Sequence, residues 1–100
     1  MIRPRDQLKE CTGFQRDEGN ATKNWDKHDV SQSECEQIFF NRPLILRRDS
    51  KHSEKESRFY VLGHTDWGRL LFVVFTIRGD KIRVISSRDM TASEERRYKK

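Results

Sequence analysis

Apolar positions follow one rhythm before Pro43 and another after it. Asn20 to Asp29 is polar yet helix-compatible, with Ala21, Asn24 and Trp25 near one side. Ser31-Gln-Ser-Glu34 then forms an S-x-x-E box, in which a hydroxyl and a carboxylate three residues apart satisfy the free N–H groups of a helix start. Cys35, Ile38 and Phe39 follow at helical spacing, and the helix is expected to end before Pro43, because a residue preceding proline is pushed out of helical geometry.

Beyond Pro43 the pattern is that of strands. Leu44–Arg48 and Arg58–Leu62 are short apolar runs separated by the charged loop Asp49 to Ser57, and Gly63–Gly68 reads as a turn. Leu70–Ile77 is apolar on both alternating sets, which predicts a central strand buried on both faces. Gly79-Asp80 makes a tight turn into Lys81–Ser87, where strict alternation puts Arg83 with Ile85 and Ser87, and Arg88 with Ser86. The two arginines share a face only if a bulge or the strand's end re-aims one of them. Thr91-Ala-Ser-Glu94 is a second capping box, opening a closing helix through about Tyr98. The expected fold is α+β: two N-terminal helices, an antiparallel meander of about four strands and a short C-terminal helix. Residues 1–12 are polar and aperiodic, a flexible extension to a single domain over 13–100.

Charge adds a direction to this picture. Residues 1–40 carry 6 Lys/Arg against 8 Asp/Glu, a net of −2, whereas residues 41–100 carry 15 against 8, a net of +7. A basic half beside an acidic one suggests a surface for a polyanion, nucleic acid first, although a merely soluble basic protein has the same composition. Cys11 and Cys35 form no C-x-x-C pair and read as reduced thiols, and the three histidines lack the paired spacing of a zinc site. No cofactor is expected. With no apolar run near the roughly 20 residues of a membrane span, the expectation is a soluble, cytoplasmic protein.

Several separated blocks together resemble the BrnT toxins of bacterial type II toxin–antitoxin systems, whose fold is like that of the RelE ribonucleases. FQRDEGNATKNWDKHDV keeps Phe14, Asp17, Asn24, Lys27, His28 and Val30 at the spacings of the family's opening pattern. IFFNRP, Glu56-Ser-Arg58 before a strand ending in Gly63, and RLLFVVFTIRGDKIRVISSRDMTASEERRY with Arg83, Ile85, Ser86, Arg88, Glu95 and Tyr98 continue it. Gln15, Arg16, Asn20 and Asp29 depart from it, Asp29 standing where the family has a glycine.

The resemblance implies a metal-independent endoribonuclease that inhibits translation and growth. It further implies neutralisation by a BrnA-type ribbon–helix–helix antitoxin, in a 2:2 complex that represses its own promoter through the antitoxin. Such an enzyme makes the ribose 2′-OH attack the adjacent phosphate, using a base, an acid and cations on the phosphate oxygens. The expected catalytic set is Lys27, His28, Glu56, Arg58, Arg83 and Arg88. Arg96, Arg97 and Tyr98 are expected to attract RNA. Each has a plainer alternative: His28 as a helix C-cap, Glu56 and Arg58 as an exposed ion pair, Arg96 and Arg97 as a solvated helix face, and Tyr98 as a packing aromatic. His52 and His64 read as solvated, and Asp49 as either a site residue or a turn former. The departures leave a catalytically inactive homologue, binding only antitoxin or nucleic acid, as the alternative function.

Overall fold

A computed structural model describes residues 8–15, 29–49 and 57–100 of the chain. Its elements are β1 (Gly13–Phe14), α1 (Gln32–Gln37), a 3-10 turn (Ile38–Phe40), β2 (Ile45–Arg48), β3 (Arg58–His64), β4 (Leu70–Arg78), β5 (Lys81–Asp89) and α2 (Ala92–Tyr98). The strands form one sheet in the order β1-β5-β4-β3-β2, in which β1 runs parallel to β5 and every other pair is antiparallel.

Both capping boxes form. Ser31 Oγ accepts from the Glu34 N–H while the Glu34 carboxylate takes the Ser31 N–H, and Thr91 and Glu94 repeat the exchange at α2. The first helix expected over Asn20–Asp29 lies largely outside the described residues. The sheet has five strands and is mixed, where an antiparallel meander of about four was expected. The added strand is β1, too short to show a period, which pairs through Gly13 with Lys81 and Phe14 with Ile82. Leu8 and Cys11, inside the stretch read as a flexible extension, pack against the core, and Thr12 Oγ1 donates to Asp80 Oδ2 at 2.7 Å.

The two sides of the sheet differ. On the inner side Phe59, Val61, Leu71, Val73, Phe75, Ile82 and Val84 pack against Val30, Cys35, Ile38 and Phe39. An edge-to-face aromatic run links Phe14 to Phe39 (5.5 Å) and Phe39 to Phe75 (5.1 Å), and Phe59 stacks on Phe75 (5.5 Å). Such pairs contribute about 0.5–1.5 kcal/mol each beyond their buried area. On the outer side α2 covers only one end, where Leu62, Met90 and Tyr98 meet Ile45, Leu70 and Phe72. β4 is therefore central as expected but is not buried equally on both sides: Leu71, Val73 and Phe75 are buried, while Leu70, Phe72 and Val74 are half-buried.

Gly63 belongs to β3 rather than to a turn. A Cβ there would meet Ile38 Cβ at 3.0 Å and Leu44 Cδ1 at 3.1 Å, so the glycine lets the 3-10 turn lie directly on the strand. Gly68 and Gly79 do sit in turns, with φ of +88° and +62° that favour glycine.

Candidate RNA-binding face and its clamps

The outer side brings the expected arginines together through one irregularity. In the β4–β5 ladder Val74 pairs with Ser86, yet the next residue, Phe75, pairs with Val84, so Ile85 is the extra residue of a β-bulge. Cross-strand partners point to the same side of a sheet. Thr76 with Arg83, Val74 with Ser86 and Phe72 with Arg88 thus form three rungs on one face. Strict alternation separated Arg83 from Arg88, and the bulge corrects that expectation by shifting the parity of the strand between them.

The rungs continue into β3 and β2. Arg58 pairs with Thr76, Tyr60 with Val74 and Leu62 with Phe72, and Arg47 is opposite Tyr60. Arg58 and Arg83 therefore flank Thr76 from both sides, about two strand spacings (~10 Å) apart at the backbone. Thr76 is fully buried and its Oγ1 donates to the Ser57 carbonyl at 2.7 Å, which fixes the backbone just before Arg58. Arg88 lies four residues along β4 from that row, about 13 Å away, too far to grip the same phosphate.

Arg88 is held tightly. Its Nη1 and Nη2 donate to Glu94 Oε1 and Oε2 at 2.7 and 3.0 Å, Nη1 also donates to the Asp89 carbonyl at 3.1 Å, and the guanidinium lies 4.1 Å from the Phe72 ring centroid. The fork to Glu94 raises the guanidinium's pKa, and the same contact holds the Glu94 carboxyl below its ordinary range. In this structure Arg88 fastens β5 to the start of α2 through the carboxylate that caps the helix.

A second arginine does the same on the inner side, and no pattern marked it. Arg69 donates through Nε and Nη2 to Asp89 Oδ1 and Oδ2 at 2.8 and 3.1 Å. Its Nη1 donates to the Asp29 carbonyl at 2.9 Å and to Glu34 Oε2 at 3.2 Å. Burial works to raise the Glu34 pKa, but the Ser31 hydrogen bonds and Arg69 outweigh it and leave the carboxyl below its ordinary value. Arg69 thus ties the residue after His28 to α1 and to the end of β5. Asp29 adopts φ +56°, a left-handed conformation that aspartate reaches more readily than most residues.

Lys27, His28, Glu56 and His52 lie outside the described residues. Arg96 and Arg97 are exposed on α2 and, with Lys100, line a shallow cationic depression. Tyr98 is 7% exposed: its hydroxyl donates to the Pro43 carbonyl at 2.6 Å and meets His64 Nδ1 at 2.8 Å. The ring is part of the α2 packing and is not open to stack a base, so Tyr98 takes the plainer reading. His64 is corrected with it, being half-buried rather than solvated. Since the Tyr98 proton goes to Pro43, His64 offers Nδ1–H to the hydroxyl oxygen. The Asp49 N–H donates to the Arg58 carbonyl, extending the β2–β3 ladder by one rung. Among the described residues no three His, Cys, Asp or Glu side chains come together to hold a metal ion, and no helix is long and apolar enough to cross a membrane.

The model of the BrnT ribonuclease toxins of type II toxin–antitoxin systems matches residues 17–94. The chain belongs to the BrnT family. The crystal structure of the Brucella abortus ribonuclease toxin BrnT superposes with a TM-score of 0.59 at 18% identity, covering 80% of this chain and 97% of that one. At that identity the match speaks for the fold, the BrnT α+β arrangement. No curated protein sequence matches the chain. An RNA target and an antitoxin partner go with membership of a type II BrnT family. Arg58, Arg83 and Arg88, three arginines expected in the site, stand on one face of this sheet.

Proposed function

We propose that this chain is a toxin endoribonuclease that cuts RNA by transesterification without a metal ion. The observation that carries the reading is the Arg58–Thr76–Arg83 row, two guanidinium side chains rooted on one face of a rigid sheet. Planar guanidinium forks match phosphate oxygens, and a preformed pair stabilises the extra charge of a pentacovalent phosphorane without reorganising. In the proposed step the 2′-oxygen bonds to phosphorus and the P–O5′ bond breaks. A base drawn from Lys27, His28 and Glu56 takes the 2′ proton, another of them protonates the departing 5′-oxygen, and a 2′,3′-cyclic phosphate remains. Arg88 contributes further along the strand, and Arg96 and Arg97 add long-range attraction to RNA.

The regulatory setting follows the family. A BrnA-type ribbon–helix–helix antitoxin neutralises the toxin in a 2:2 complex that represses its own promoter, and the free toxin acts in the cytoplasm by stopping translation and growth. The purified chain should cleave RNA in EDTA and leave 2′,3′-cyclic ends, and Arg83→Ala together with His28→Ala should abolish this. Intact RNA after incubation with folded wild type would instead favour the inactive, binding-only homologue suggested by Gln15, Arg16, Asn20 and Asp29. One of those departures costs little: Asp29 takes up the left-handed conformation that the family's glycine would allow.

A further inference from the structure

We propose that Tyr60 and Phe72 form a nucleobase-stacking platform on the outer face, so that the ligand is single-stranded RNA laid across the strands and not a duplex. This subsite rests on the RNA-cutting role proposed above and names the form of RNA that the face accepts. The two rings lie 5.2 Å apart with 31° between their planes, a tilted pair at diagonal positions of β3 and β4. Both are half-buried; Phe72 borders the cluster beneath α2, and Tyr60 lies two residues before Leu62 on β3, outside that cluster.

Cations flank the pair on several sides. Arg88 sits over Phe72, Arg47 is exposed and directly opposite Tyr60, and Arg58 precedes Tyr60 by two residues on the same side. Flat π-faces set among guanidinium groups suit a strand whose bases are splayed out and whose phosphates run alongside. A duplex keeps its base faces stacked inside and offers only its backbone, so it can use the arginines but not the rings. A cross-strand aromatic pair also stabilises a sheet on its own, and the test has to separate the two roles.

The probe is a 2′-O-methyl oligonucleotide, which lacks the attacking hydroxyl, carrying 2-aminopurine, whose fluorescence falls on stacking. Wild type and Tyr60→Phe should bind it and quench the fluorescence. Tyr60→Leu, which keeps apolar bulk but loses the π-face, should bind about tenfold more weakly and without quenching. A blunt duplex of the same sequence should bind wild type and Tyr60→Leu alike. Binding by wild type without any quenching overturns the platform, and this reading needs no variant to fold. Unchanged affinity in Tyr60→Leu, or equal losses for strand and duplex, overturns it too. Quenching by a wild type that leaves ordinary RNA uncut keeps the platform and removes only the nuclease reading.

Discussion

The two sides of the sheet are built from alternate residues of the same strands, yet they solve different problems. On the inner side Phe75, Val73 and Leu71 are fully buried among aromatic and aliphatic partners. On the outer side their neighbours Val74 and Phe72 remain half-buried, among Tyr60 and four arginines. One side supplies the free energy of folding, and the other keeps its cations and rings within reach of solvent. A chain of 100 residues has little core to spare, so the division is nearly forced.

The comparison breaks most visibly if the inner side is opened. Phe75→Ala removes the ring shared by Phe39 and Phe59 and should cost about 3–5 kcal/mol, read by denaturant unfolding. Val74→Ala, one residue away on the outer side, should cost less, about 1 kcal/mol, since its side chain is only partly buried. Equal losses would show that the outer side is core as well.

Gly63→Ala comes next, at about 1–3 kcal/mol, because the new methyl meets Cβ of Ile38, which sits on the 3-10 turn and cannot swing aside. A mutant as stable as wild type would mean that the turn is not seated on β3.

Acid should affect the two clamps in a defined direction. Glu34 and Glu94 have pKa values lowered from an ordinary 4.5 in the folded chain. Their contribution to stability is therefore complete above pH 4.5 and is lost as pH falls through the lower folded values. Glu94→Gln should lower stability at pH 7 by about 1 kcal/mol or less, for a clamp that is partly solvated, and should flatten the acid limb of the stability curve. An acid limb as steep as that of wild type would deny Glu94 this part.

The smallest change expected comes from deleting Ile85. The deletion makes the ladder regular while Arg83 and Arg88 stay on the outer side, so RNA binding should survive. Loss of binding in a folded deletion variant would give the bulge's local twist a role beyond parity.

Much of the fold was legible because its signals are local. The two capping boxes, the glycine turn after Arg78 and the long apolar run of β4 all follow from short stretches of chain. What escaped depends on partners distant in sequence. The bulge exists because Phe75 seeks Val84 on the inner side and Val74 seeks Ser86 on the outer, a compromise no alternation in β5 can announce. The burial of Tyr98 and the pairing of His64 appear only once Pro43 lies beside α2. Arg69 looked like any turn residue, and its only sequence signal was its place between Gly68 and a strand. Family spacing singled out Arg58, Arg83 and Arg88, but that they share one face depends on the bulge, and Tyr60 beside them had no motif to mark it.

The shared oxygen on Glu94 has a practical consequence. Oε1 takes both the Arg88 guanidinium and the Thr91 N–H, so β5 and the α2 cap depend on the same atom. Replacing Arg88 to make an inert toxin would also leave a buried-edge carboxylate holding the helix without its counter-charge. A loss of growth inhibition in such a variant could then come from a loosened C-terminus as easily as from lost chemistry. Arg83 stands on its own rung, four residues away along β4, so Arg83→Gln tests the proposed RNA cleavage without removing a bond to the Glu94 cap.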